Sequence, residues 1–282
     1  PFCKTKCHYC DFYSLTKRED DIPDFISALY REIEQYSQYN NQDWKFTTLF
    51  FGGGTPSLLQ PNLLGNILSH LKKYFDISNL VETTLEVNPG DISLEYLMIY
   101  RELGVNRLSF GFQSFQPNLL DFLERTHSPE DCFKSFEMAV KAGFTNISAD
   151  MIFRVPGQTL EQWKSDLISL TKLDLQHISA YSLTVEPGTG LFQRVKSGET
   201  KMPTESIDID MFVHTREFLE SVGYTKYEVS NFCKHEFECL HNRNTWRNYP
   251  YLAFGPSAHG YDGSKRWWNY RSLDQYIDKI KQ

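Results

Sequence analysis

Leu80-Val81-Glu82-Thr83-Thr84-Leu85-Glu86-Val87-Asn88-Pro89-Gly90 reads as a strand with a stop behind it, and its two faces disagree. Side chains alternate along an extended chain, so Val81, Leu85 and Val87 share one face and Glu82, Thr84 and Glu86 the other. A parallel strand covered on both sides by helices should be apolar on both. The same split recurs downstream. Leu108, Phe110 and Phe112 oppose Arg107, Ser109, Gly111 and Gln113, while Ala149, Met151 and Phe153 oppose Ser148 and Asp150. The apolar faces must meet helices, which leaves the polar faces to line an interior.

Helices alternate with these strands. Apolar stripes at helical spacing predict helices over 22–39, from Pro61 onward, and over 93–103, 129–142, 160–173 and 204–222. Gly104 and Gly143 stand where helices commonly end. Strands are predicted over 46–51, 80–87, 106–112, 146–153, 177–184 and 224–230. The stretch 187–203 reads as a polar connection, and the chain beyond Asn231 is rich in Cys, Trp and Gly without clear periodicity. Strand–helix alternation with right-handed crossovers curls a parallel sheet. The expected fold is therefore α/β, a full or partial (β/α)6 TIM-type barrel over 1–230, with a small C-terminal extension over 231–282.

Glu86, Gln113 and Asp150 all fall near the carboxyl ends of their strands, the end where such folds carry their sites. A lumen filled with them is costly unless something polar occupies it. A bound polar cofactor and an internal hydrogen-bonded network both answer that requirement. Gly52-Gly53-Gly54-Thr55-Pro56-Ser57 follows a strand and lets the main chain approach a ligand with its N–H groups free, although no Gly-Lys-Ser/Thr makes it a Walker loop.

At the start of the chain, Cys3, Cys7 and Cys10 stand in a C-x3-C-x2-C spacing, three of six cysteines within eight residues. Three thiolates on a tight loop hold an iron–sulfur cluster with one metal position open, or a zinc ion completed by His8. Net charge of −7 and a pI near 5.6 argue against nucleic acid or an anionic membrane as the main partner. No apolar run approaches the roughly 18 residues that span a bilayer, and no signal peptide is visible. Clustered thiols without a disulfide framework point to a reducing compartment, the cytoplasm. The missing initiator Met and the helical spacing of Leu273, Tyr276, Ile277 and Ile280 at the end suggest a piece of a longer protein.

Taken together, Pro1-Phe2-Cys3 to Cys10, Gly52 to Pro56, Glu86-Val87-Asn88-Pro89, Gly111-Phe112-Gln113-Ser114-Phe115 and Asp150-Met151-Ile152 resemble the radical S-adenosylmethionine (SAM) proteins. More narrowly they resemble the coproporphyrinogen-dehydrogenase-like family, over essentially the whole chain. The resemblance implies that Cys3, Cys7 and Cys10 hold a 4Fe–4S cluster whose fourth iron binds SAM, and that an external electron donor triggers its cleavage. It also implies cofactor contacts from Gly53, Gly54, Thr55, Glu86, Gln113, Arg125, Asp150 and Thr184, with Tyr9 packed beside the site. One branch of the family decarboxylates coproporphyrinogen III and carries a further Cys where this chain has Phe12. The other is a haem-chaperone branch with a late H-N-x-x-Y-W motif, to which His241-Asn242-Arg243-Asn244-Thr245-Trp246 is similar apart from Thr245. That branch implies binding of haem b, with His241 or Cys239 as axial ligand, and its transfer to haem-accepting proteins.

Overall fold

The computed structural model describes residues 1–39 and 44–280. In chain order, α1 (Ile22–Tyr39), β1 (Thr48–Phe51), α2 (Pro61–Tyr74), β2 (Glu82–Val87), α3 (Leu94–Glu102) and β3 (Arg107–Gln113) come first. Next are α4 (Pro117–Phe122), α5 (Pro129–Lys141), β4 (Ile147–Phe153), α6 (Leu160–Leu170), β5 (His177–Ser182), α7 (Gly190–Lys196) and α8 (Glu205–Ser221). Then follow β6 (Thr225–Lys226), β7 (Asn231–Cys233), α9 (Leu240–Trp246), β8 (His259–Tyr261), β9 (Arg266–Trp268) and α10 (Leu273–Ile280). Local chemistry sets many of these boundaries. Ser128 with Asp131 and Thr159 with Gln162 form reciprocal capping boxes that begin α5 and α6.

The main sheet runs β1-β2-β3-β4-β5-β7-β6. β1 to β5 pair in parallel, whereas β7 is antiparallel to both β5 and β6. The single strand expected over 224–230 is therefore corrected to the two residues of β6. The Glu228 carboxylate accepts the Ser230 N–H at 2.8 Å in the turn that sends the chain back. β7 then takes the place beside β5, so β6 keeps the parallel direction one position further out. β1 and β6 form the two edges, and the curved sheet is an open, partial barrel.

The outward faces of β2 to β5 are buried as the alternation requires. Leu85, Leu108, Phe110, Phe112, Ala149, Met151, Phe153 and Ile178 pack under helices that contribute Tyr100, Trp163, Leu167 and Leu219. Val81 is an exception. It precedes β2 and is 59% exposed. A second cluster joins Phe2 with Phe25, Ile33, Ile67, Leu71, Leu273 and Tyr276, so the first residues of the chain, α1, α2 and α10 share one core. The helical spacing at the end of the chain is thus the buried face of α10.

Within that second core lies Glu32, 1% exposed, which accepts from Tyr276 Oη at 2.6 Å, from the Gly255 N–H at 2.8 Å and from the Asn269 amide. It ties α1 to both the 255–269 segment and α10. Glu32→Ala leaves the buried Tyr276 hydroxyl and Gly255 N–H without an acceptor and leaves Asn269 only the Gly255 carbonyl, at roughly 1–3 kcal/mol for each donor that water cannot reach. The expected outcome is a fall of several degrees in Tm with release of α10. Thermal unfolding, with exchange protection at Tyr276, checks it.

Candidate cofactor site

The cysteine loop is pinned to the sheet through main-chain bonds. Leu15 N–H donates to Pro1 O at 2.7 Å, Cys3 N–H to Leu15 O at 2.9 Å, and Thr55 N–H to Phe2 O at 2.8 Å. That last bond needs the glycine turn after β1. Gly53 sits at φ +112, a conformation that disfavours side chains, and a Cβ on Gly54 would lie 2.7 Å from Phe2 O. The glycines thus let two main chains touch and set the loop over the carboxyl ends of β1 and β2.

Beneath the loop is a cavity of about 560 Å³ that Cys3, Cys7 and Cys10 all line. Thr55 Oγ1 donates to Cys3 Sγ at 3.4 Å, and Arg125 Nη1 to Cys7 Sγ at 3.9 Å. Burial pushes the Cys7 and Cys10 thiols up, and Arg125 pulls Cys7 part of the way back. Among the described residues no three His, Cys, Asp or Glu side chains converge on a single ion position. His8 turns away from the cavity, which it does not line, with its ring 5.0 Å from that of Phe122. A zinc ion completed by His8 therefore lacks its fourth ligand.

The inward faces of β2 to β5 build the wall opposite. Glu86 accepts the Gly53 N–H at 2.9 Å. Burial, with Asp150 adding to it, pushes its carboxyl up to about 7. Asp150 accepts from Ser109 Oγ at 3.3 Å and shares hydrogen bonds with Ser179 and Tyr181, yet burial still raises its carboxyl. Gln113 follows a register shift between β3 and β4 and has φ +68, and its Oε1 is buried with no partner. Arg125 reaches in from the end of α4, donating Nη2 to Gly111 O at 3.1 Å and to the Asn88 side chain, which in turn donates to Thr55 Oγ1 at 3.0 Å. Tyr9, Gly53, Gly54, Thr55 and Thr184 line the same cavity. Two buried carboxyls whose ionisation burial disfavours and an unanswered amide are what a cationic, multiply polar ligand would satisfy, and three thiols spread beyond a single ion suit a polynuclear cluster.

His241 is at the opposite end of the barrel. Its ring stacks on Phe50 at 4.9 Å with Nδ1 3.3 Å from Thr48 Oγ1. The Glu82 carboxylate accepts the N–H groups of Leu240 and His241, both at 3.0 Å, and the Cys239 thiol at 3.6 Å. Burial lowers the imidazole's affinity for a proton. Thr245 donates its hydroxyl to His241 O at 3.1 Å, and Trp246 points outward, 62% exposed. Between the two ends lie Arg107, 2% exposed with Nε unpartnered, together with Thr84 and His177. The structure thus brings together every expected residue of the cluster and SAM set and leaves His241 apart.

The radical SAM superfamily pattern matches residues 1–167. HemW of Bacillus subtilis, a haem chaperone, is 38% identical over the whole of this chain and 74% of its own length. HemW of Lactococcus lactis is 37% identical over 98% of this chain and 72% of its own. The chain belongs to the HemW group of the radical SAM superfamily. Among solved structures, the coproporphyrinogen III oxidase HemN of Escherichia coli superposes with a TM-score of 0.87 at 25% identity, over all of this chain and 67% of that one. The fold is the radical SAM fold, a curved, mainly parallel sheet flanked by helices. No helix among the described residues is long and apolar enough to cross a membrane.

Several residues in or beside this HemW-type cavity escaped the reading of the sequence. Tyr181 bonds Asp150, and the alternation of His177, Ser179 and Tyr181 along β5 already put it inward. Asn88 reads from the sequence as a strand stop within the Glu86-to-Pro89 motif, with no contact of its own implied, and Glu124 carries no signal there.

Proposed function

We propose that this protein is a haem carrier of the HemW kind, with a 4Fe–4S cluster on Cys3, Cys7 and Cys10, SAM in the cavity beside it, and haem b as cargo for haem-accepting proteins. The observation that carries the reading is the single cavity shared by three thiols and the Glu86–Asp150 pair. When bound, the cluster and SAM supply one-electron cleavage chemistry, fed by an external electron donor. The chain's own part is positional. Gly53, Gly54 and Thr55 offer main-chain groups at the cavity edge, and Gln113 Oε1 supplies an acceptor that nothing in the protein uses. Glu86 and Asp150 balance a cationic ligand. Arg125 holds the loop through Cys7 and receives carboxylate charge.

A second reading has a specific observation behind it, the likeness to HemN: oxygen-independent oxidation of coproporphyrinogen III. Against it, Phe12 stands where that branch carries a further Cys, and the residue is 70% exposed beside the cavity it lines. In the haem-carrier reading, haem draws on an imidazole, that of His241, which stacks on Phe50 beside the first residues of α9. The net charge of −7 and the absence of a membrane-crossing helix among the described residues suit a carrier that works in the cytoplasm. Anaerobically prepared protein is expected to contain iron, sulfide and haem, to pass haem to an apo-acceptor, and to leave coproporphyrinogen III unchanged with SAM and reductant. Appreciable protoporphyrinogen would overturn the choice. An unaltered haem titration for His241→Ala would remove His241 as ligand.

A further inference from the structure

Glu124 follows α4 at φ +53, a left-handed conformation that residues with a side chain seldom adopt. In that conformation its carboxylate accepts the main-chain N–H of His8 at 2.8 Å, inside the loop between Cys7 and Cys10. Its own carbonyl faces Cys7 Sγ at 3.8 Å. The next residue, Arg125, approaches the same sulfur from its guanidinium. Two consecutive residues of opposite charge thus bracket Cys7, and both line the cavity.

The reduction potential of an iron–sulfur centre falls with negative charge nearby and rises with N–H groups donating to its sulfurs. Glu124 acts in the lowering direction twice over. It brings a carboxylate and a carbonyl dipole to the Cys7 side of the loop, and it engages the His8 N–H, a main-chain donor between two of the cysteines. Glycine would adopt the same backbone conformation without strain and keep the carbonyl, but it would bring neither the carboxylate nor an acceptor for the His8 N–H.

We infer that Glu124 is a positioning residue that fixes the Cys7–Cys10 loop and lowers the reduction potential of the centre held there. The inference rests on the cluster reading above. The test uses the full chain, reconstituted without oxygen from ferrous iron and sulfide, with the midpoint potential read by EPR during a dithionite titration. Glu124→Gln keeps an acceptor for the His8 N–H and removes the charge. Glu124→Gly removes both and suits φ +53, so it remains measurable even where the glutamine variant folds poorly. Whatever fraction of chains is loaded, the cluster in both variants is expected to show a more positive midpoint than in the parent, with the larger shift in the glycine variant. A loaded parent whose variants share its midpoint overturns this inference alone. A parent that takes up no iron and sulfide overturns the cluster reading and this inference with it.

Discussion

Alanine at Gly54 is expected to abolish cluster uptake while leaving the sheet folded. The added Cβ would lie 2.7 Å from Phe2 O, 3.0 Å from Phe2 N and 3.0 Å from Pro1 C. All three are main-chain atoms, so no rotamer change relieves the contact, and overpacking of this kind costs about 1–3 kcal/mol. The strain falls on the Thr55-to-Phe2 hydrogen bond that seats the cysteine loop. Everything else that holds the sheet lies elsewhere. Iron and sulfide per chain after anaerobic reconstitution should fall toward zero, while far-ultraviolet circular dichroism stays near that of the parent. Full uptake by Gly54→Ala would mean that the loop seats itself without this contact.

Glu86→Gln should separate stability from binding. The Glu86 carboxyl moves from 4.5 to about 7 on folding, chiefly through burial. The folded state therefore favours the proton, and the stability attached to it is complete below about pH 4.5 and declines as pH rises through 7. The ceiling on that decline is roughly 3 kcal/mol, reduced by water reaching the carboxylate from the cavity. Glutamine keeps an acceptor for Gly53 N–H and removes the charge. The ligand-free variant should thus melt higher than the parent at pH 8, with little difference near pH 4. Its affinity for SAM should drop on the order of tenfold or more, since hydrogen bonds to charged groups are worth about 1.5–3 kcal/mol. Differential scanning fluorimetry across pH, with SAM titrated into the cluster-loaded protein, reads both arms. A lower Tm at pH 8 would contradict the linkage.

The site was legible where local alternation carries the information. Glu86, Gln113 and Asp150 point inward because a period of two on parallel strands leaves them no other face, and the structure puts all three in the cavity. Adjacent strands in register then bring Ser109 to Asp150 without any long-range signal in the sequence. Contacts made by capture of a distant segment were not legible. Glu82 looked like one more inward carboxylate, yet its partners are Cys239 and the first two residues of α9, 157 to 159 positions away. The reversal at Glu228–Ser230 was missed for a related reason. A three-residue strand such as β7 has no period to read, and its place beside β5 depends on pairing. The left-handed backbone of Glu124 and Gln113 is likewise set by what they touch.

With Glu82 fastened to α9 and Arg107, Thr84 and His177 filling the space above it, the barrel is a vessel with a floor. A guest beneath the cysteine loop therefore finds no passage through the end of the sheet where α9 is seated.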